Sequence, residues 1–140
     1  MGTAAYFYVI EKNGDMGSIS LAGIYEAFGL LGMVSKNGEK QFVQSFFDKY
    51  NCEIFTQPFD GGPVVSAFTI ESPCSDERLW DGMARVLKLG NVVLVCSWKT
   101  LLMVGDSAVI PNLPSQLLED MGYPVVVGTG KEIWDATEYW

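Results

Sequence analysis

Apolar residues recur along the chain in short blocks separated by glycine, proline, asparagine and aspartate. Residues 4–11 (AAYFYVIE) gather aromatic and β-branched side chains into one run, which predicts a first strand. From Leu21 to Leu31 the apolar positions follow a three-four spacing, and Ser18 or Ser20 precedes them as a candidate cap. This pattern predicts an amphipathic helix with one buried face.

The next blocks predict a helix followed by two strands. After Asn37-Gly38, the stripe from Phe42 to Tyr50 places five large apolar groups in nine residues, which predicts a second, heavily buried helix. Residues 53–58 and 64–71 then favour strands. The segment Asp60-Gly61-Gly62-Pro63 between them is typical of a hairpin turn or a wide loop.

The second half alternates helices with short extended runs. Ser75 and the acids after it predict a helix start, and Gly90 marks its end after Lys88. Extended runs at 92–98, 101–104 and 107–110 predict a meander. The sequence then predicts a short helix carrying Leu117, Leu118 and Met121, and a buried strand over 124–128.

The order of these elements predicts an α+β fold. Runs of strands stand beside separated helices, so we expect a mostly antiparallel sheet covered on one side by about four helices. The chain has 140 residues, of which 49% are hydrophobic and 19% charged, a composition typical of a globular domain. No repeat or long linker interrupts it, so residues 1–140 are expected to form a single globular domain.

The charge is strongly acidic and unevenly distributed. Seventeen Asp and Glu residues stand against nine Lys and Arg, which gives a net charge of -8. Residues 101–140 hold six of the acids and a single base, Lys131. Such a field repels nucleic acids and anionic membranes and attracts a basic protein. Solubility alone is the simpler explanation of the same acidity.

The chain contains no histidine, which excludes the commonest general base and the commonest metal ligand. Cys52, Cys74 and Cys96 form no C-x-x-C pair and lie among apolar neighbours, so we expect reduced thiols and no bound metal or cofactor. No run approaches the roughly 18 apolar residues of a membrane span. We therefore expect a cytoplasmic protein that is a monomer or a weak homodimer.

Two motifs suggest enzymatic chemistry, and both are weak. Gly128-Thr129-Gly130-Lys131 resembles a phosphate loop, but Val125 and Glu132 stand where a P-loop requires glycine and Ser or Thr. Groups of acids such as Asp76, Glu77 and Asp81 suggest carboxylate catalysis, but Asp76, Glu77 and Glu119 are better explained by helix capping and solvated faces. We therefore assign no catalytic residue and do not expect an enzyme.

The C-terminal stretch 131–140 combines three acids with three large aromatic residues. Tyrosine and tryptophan dominate the binding energy of interfaces, and acids around them would recruit a basic surface. Trp134 could equally fill the core, and the sequence leaves this open. The expected partner-binding residues are Asp106, Glu132, Asp135, Glu138, Tyr139 and Trp140.

Three functions fit these patterns. We favour a small acidic protein-binding domain, most concretely an immunity- or antitoxin-type inhibitor that blocks a basic bacterial toxin or effector. The alternatives are a small-ligand-binding domain or enzyme that uses carboxylate, lysine and tyrosine groups, and a structural subunit of a phage or secretion assembly.

Overall fold

The chain folds into a long, mostly antiparallel sheet with helices on both faces. The computed structural model describes residues 4–11, 16–28, 33–37, 40–47, 50–56, 64–71, 73, 75 and 77–138. The strands are β1 (Ala4–Val9), β2 (Ile19–Ser20), β3 (Met33–Asn37), β4 (Lys40–Phe47), β5 (Tyr50–Thr56), β6 (Val64–Val65), β7 (Ala67–Glu71), β8 (Val92–Cys96), β9 (Leu102–Val104) and β10 (Val125–Val126). The helices are α1 (Leu21–Ala27), α2 (Glu77–Val86), α3 (Ser115–Met121), α4 (Gly130–Thr137) and a 3₁₀ helix at Ser107–Asn112.

Eight of the described strands form the main sheet, in the order β10-β9-β8-β1-β7-β5-β4-β3. Each described neighbour pair is antiparallel except β9 with β10. Strands β2 and β6 form a separate small antiparallel ladder. The fold is therefore α+β with a mostly antiparallel sheet and four described α-helices, as the sequence predicts.

The two faces of the sheet carry two different cores. In β8, Val92, Leu94 and Cys96 point into the first core, which includes residues of α1, α2 and α4. Val93 and Val95 point to the opposite face, into the second core, which includes residues of the 3₁₀ helix and α3. This alternation follows from the two-residue period of a strand. The expectation that helices cover only one side is wrong, because residues 107–121 cross to the opposite face.

Helix α2 is the most deeply buried of the helices. Six of its ten residues are buried, Leu79, Trp80, Gly82, Met83, Ala84 and Val86. Burying one large apolar side chain contributes about 1.5–3 kcal/mol, so this helix anchors the first core. At Gly82 a Cβ atom would stand 2.3 Å from the ring of Phe28, the residue that follows α1, so any larger residue there would displace that ring.

Several predicted elements are confirmed. Strand β1, helix α2 and strands β8 and β9 lie where the sequence places them. The Ser20 side chain caps α1 by accepting a hydrogen bond from the Gly23 N–H at 3.2 Å. The predicted strand 64–71 divides between β6 and β7, and the predicted turn at Asp60 lies outside the described residues.

The predicted second helix is wrong, because residues 42–47 lie in β4 and Tyr50 begins β5. Strand β4 pairs with β5 over seven residues and with β3 over five, and these ladders outweigh the helical spacing. Phenylalanine and valine also favour strands. Asn37 pairs with Lys40 in the antiparallel ladder of β3 and β4, so the residues after Asn37 do not lead into a helix.

The third strand of the predicted meander is also wrong, because residues 107–112 form the 3₁₀ helix. The Asp106 side chain accepts a hydrogen bond from the Ala108 N–H at 2.8 Å and so starts a helical turn. Pro111 lacks the N–H that an inner strand would donate. Gly105 also approaches Leu87 closely, since a Cβ there would lie 2.6 Å from the Leu87 carbonyl oxygen.

Helix α3 ends at Gly122 as predicted, with a φ of 86° that favours glycine. Strand β10 also forms in the predicted region, but it is short, and Val125 and Val126 are exposed rather than buried. They are exposed because β10 is the last strand of the sheet and pairs only with β9 among the described strands.

Candidate functional site

A cavity of about 550 Å³ lies between the first turns of α2 and the first half of α4, and we call it the α2–α4 cleft. Its polar lining comes from Ser75, Glu77 and Asp81 on the α2 side and from Lys131 and Asp135 on α4. Trp80, Gly130 and Trp134 complete the lining. The cleft therefore combines charged rims with aromatic and backbone walls.

Gly130 allows the two helices to come together. A Cβ atom at this position would lie 2.5 Å from the backbone nitrogen of Asp81 and 2.5 Å from the carbonyl carbon of Trp80. Such distances do not occur in folded proteins, so a larger residue would push α4 away from α2. The glycine therefore sets the width of the cleft.

The start of α4 is fixed by reciprocal capping. The Thr129 side chain accepts a hydrogen bond from the Glu132 N–H at 3.2 Å, and the Glu132 carboxylate accepts one from the Gly128 N–H at 3.0 Å. The Lys88 ammonium donates to the Gly128 carbonyl at 2.9 Å. The segment that resembles a phosphate loop is therefore the cap of a helix, with a carboxylate at its N-terminus.

Three tryptophans form the aromatic wall. Trp80 is buried, and its ring meets Trp134 at 5.0 Å and Trp98 at 6.5 Å, in both cases edge to face. The Trp98 indole N–H donates to the Thr137 carbonyl at 3.0 Å and so holds the end of α4. Trp134 is half-buried and lines the cleft, so one part of its side chain packs against the core and another part forms the surface of the cleft.

The cleft is acidic. Glu77, Asp81 and Asp135 are exposed along it, against a single base, Lys131. The Lys131 ammonium donates to the Asp135 carboxylate at 2.8 Å, and this hydrogen bond, helped by the negative charge, raises the pKa of Lys131. The side chains of the pair are 83% and 56% exposed, so the ion pair is weak and easily opened.

The structure gives local roles to the predicted binding acids. Asp106 caps the 3₁₀ helix, Glu132 caps α4, and Asp135 lines the cleft paired with Lys131. Glu138 ends α4 in the left-handed conformation, with φ of 51°, and pairs with Lys99 at 2.5 Å. Of these four acids, only Asp135 lines the cleft.

Tyr139 and Trp140, the two predicted aromatic anchors, lie outside the described residues. Sequence reasoning assigned Glu77 to helix capping, and it is indeed the acid in the first turn of α2. It missed that Glu77 and Asp81 share a cleft with Asp135, because residues so far apart in sequence give no signal of contact. The four-residue spacing of Glu77 and Asp81 on one helical face was the available clue.

The described thiol is not a reactive group. Cys96 is free and buried in the first core, as the sequence predicts, and burial raises the pKa of its thiol to about 12. The described part of the chain holds no group of three or more Cys, Asp or Glu side chains placed to bind a metal ion. Cys74 lies outside the described residues.

None of the helices that the structure describes is long and apolar enough to cross a membrane.

The chain matches no protein-family model and has no significant similarity to a curated protein or to a solved structure.

Proposed function

We propose that this chain is a protein-binding domain that uses the α2–α4 cleft and the surface of α4 to bind a basic partner. The observation that supports this most is the acidic lining of a concave, tryptophan-walled cleft. Three exposed carboxylates surround it, and its one lysine is paired with one of them. Aromatic residues beside carboxylates match the composition of interfaces that bind arginine- and lysine-rich surfaces.

The proposed binding mechanism combines steering with anchoring. The net charge of -8 speeds the encounter with a positively charged surface, and this effect weakens as salt screens it. After contact, Trp134 supplies buried area at small entropic cost, because Trp80 already restricts its ring. Association is therefore expected to depend on salt, whereas dissociation depends on the aromatic contact.

The specific form that we propose is an immunity- or antitoxin-type inhibitor. Toxins that act on nucleic acids or nucleotides carry basic clefts, and a compact acidic domain blocks such a cleft both electrostatically and sterically. A reducing cytoplasm suits this role, and the buried free thiol of Cys96 is consistent with it. We expect binding rather than catalysis, because the sequence lacks histidine and the carboxylates of the cleft are exposed.

The test is capture of the partner from a lysate of the source organism, followed by affinity measurements with two matched double variants. Glu77→Gln with Asp81→Asn removes two charges from the cleft, and Glu119→Gln with Asp120→Asn removes two exposed charges from α3. We expect the cleft variant to bind about tenfold more weakly, about 1.4 kcal/mol for two exposed charges, and the α3 variant to bind nearly as wild type. Equal effects of the two variants would contradict the proposal.

A second candidate function is favoured by the volume of the cleft. A cavity of about 550 Å³ is within the size range of small-molecule sites, and its carboxylates would select a cationic ligand. Native mass spectrometry of protein purified without added ligand separates the two functions. A stoichiometric small molecule lost in the cleft variant would support this second function.

A further inference from the structure

We infer that the α2–α4 cleft receives an arginine side chain of the partner, an inference that rests on the function proposed above. The cleft is concave rather than flat, so it can enclose a single side chain. Its acids stand on both sides, with Glu77 and Asp81 on α2 and Asp135 on α4. A cation that enters therefore meets carboxylates from two directions.

The aromatic wall adds a second, independent reason. Trp134 lines the cleft and is only half-buried, and its ring stands at 86° to that of Trp80. A tryptophan ring attracts a cation that lies within about 6 Å of its centre. Because Trp80 is buried and helix α4 is tied to Trp98 through Thr137, this ring is already in place before a ligand arrives.

The planar guanidinium fits this arrangement better than an ammonium. It is flat, so it can lie along an aromatic ring while its edge donates to carboxylates. Its forked donors reach two acceptors at once, whereas an ammonium acts as a compact, strongly hydrated point charge. The cleft has carboxylates on both sides of an aromatic wall, so a cation that stacks on the ring and donates to two acceptors should bind more tightly there than an ammonium.

Lys131 acts as a competitor within the site. Its ammonium occupies Asp135 in the free protein, but its side chain is 83% exposed and can leave without losing a buried contact. Entry of an arginine would release Lys131 and transfer Asp135 to the guanidinium. Removing Lys131 should therefore strengthen arginine binding, although it removes a residue of the cleft.

The probes are three short blocked peptides, acetyl-Gly-Xaa-Gly-amide, with arginine, lysine or its neutral analogue citrulline as Xaa. Binding is followed at low salt by the NMR signals of the tryptophan indole N–H groups. We expect the arginine peptide to bind about threefold more tightly than the lysine peptide, because its guanidinium also stacks on the ring. The citrulline peptide should not bind measurably.

Variants assign the effect to the cleft. Glu77→Gln with Asp81→Asn should weaken binding of the arginine peptide about fivefold, and Lys131→Gln should strengthen it about twofold, as expected for exposed charges. The matched controls are Glu119→Gln with Asp120→Asn, and Lys99→Gln, whose partner Glu138 does not line the cleft. Both controls should change the affinity by less than these amounts.

Two results would overturn the inference: equal binding of the arginine and citrulline peptides, or equal effects of the cleft and control variants. The two failures can be told apart. If the captured partner still requires Glu77 and Asp81 while the arginine peptide does not bind, only the arginine inference is wrong. If the peptide binds at the cleft but the partner ignores the cleft variant, the proposed function is wrong, and with it the inference that the arginine belongs to the partner.

Discussion

Helices α2 and α3 both carry exposed acids, yet they form very different surfaces. Helix α2 buries six of its residues, packs against α1 and α4 in the first core and lines a cleft with α4. Helix α3 has no fully buried residue and lies over the second core with Glu119 and Asp120 exposed. Residues 100–130 contain no Lys or Arg, so the α3 side has the less balanced charge.

This difference shows that net charge alone does not locate a site. The α3 side offers charge without a concave aromatic wall, whereas the α2–α4 cleft offers fewer unbalanced acids but places them around Trp134. Binding energy comes chiefly from buried aromatic contacts, and exposed charges mainly affect association rates.

The largest effect is expected at Trp80, the centre of the aromatic wall. Trp80→Ala removes a buried ring that contacts Trp98 and Trp134, so we expect a loss of about 3–5 kcal/mol in the free energy of unfolding. On the α3 side, Leu118→Ala should cost only about 1 kcal/mol, because Leu118 is half-buried. Urea denaturation of both variants measures the difference. Equal losses would mean that the two sides are anchored equally.

A smaller loss is expected where the helices of the cleft meet. Gly130→Ala places a methyl group against the Asp81 and Trp80 backbone and should cost about 1–3 kcal/mol, as overpacking does. Gly90→Ala is the control, because its new Cβ would meet Ile19 at an ordinary 3.7 Å. Thermal unfolding compares the two. A Gly130→Ala protein as stable as wild type would show that the helices do not approach so closely.

The first core should also respond to alkaline pH through Cys96. Its pKa is raised to about 12 in the folded protein from 9.0, so the folded state favours the neutral thiol. The stability is fully present below pH 9 and is lost as the pH rises towards 12, by about 1.4 kcal/mol at pH 10. Denaturation of wild type and Cys96→Ala between pH 8 and 10.5 measures this contribution. The variant should lose less stability over that range, and parallel curves would contradict the assignment.

The smallest effect on stability is expected at the ion pair of the cleft. Asp135→Asn breaks an exposed i,i+4 pair with Lys131, so unfolding should change by less than about 0.5 kcal/mol. Partner binding should nevertheless weaken, because Asp135 lines the cleft. Chemical denaturation and affinity measurements on the same sample make the comparison. A large loss of stability together with unchanged binding would show that Asp135 serves the stability of the fold and not the binding of the partner.

The sequence correctly predicts those elements whose ends are marked by capping or turn residues close to them in the chain. Ser20 before α1 and Gly122 after α3 each mark a boundary through a neighbouring backbone group, and Glu77 is an acid in the first turn of α2. The helix predicted over 42–50 failed because pairing with β3 and β5 outweighs the helical spacing of its apolar residues, and the local sequence does not reveal that pairing. Helix α4 was missed although Thr129 and Glu132 form a cap that is visible in the sequence.

The candidate site was only partly predictable for a related reason. The chain's acidity is evident from the sequence, and Asp135 and Trp134 are candidates there. The cleft itself depends on Gly130 meeting Trp80 and Asp81, about fifty residues earlier, and on three tryptophans from different elements. No local pattern encodes such a contact.

Site-specific photo-crosslinking to the captured partner tests most directly which surface the partner contacts. A photoreactive phenylalanine analogue is placed at Ser75, which is exposed at the cleft, or at Gln116, which is exposed on α3. If the α2–α4 cleft is the recognition surface, Ser75 should form a covalent complex with the partner and Gln116 should not. A complex through Gln116 alone would place recognition on the α3 side and contradict the account.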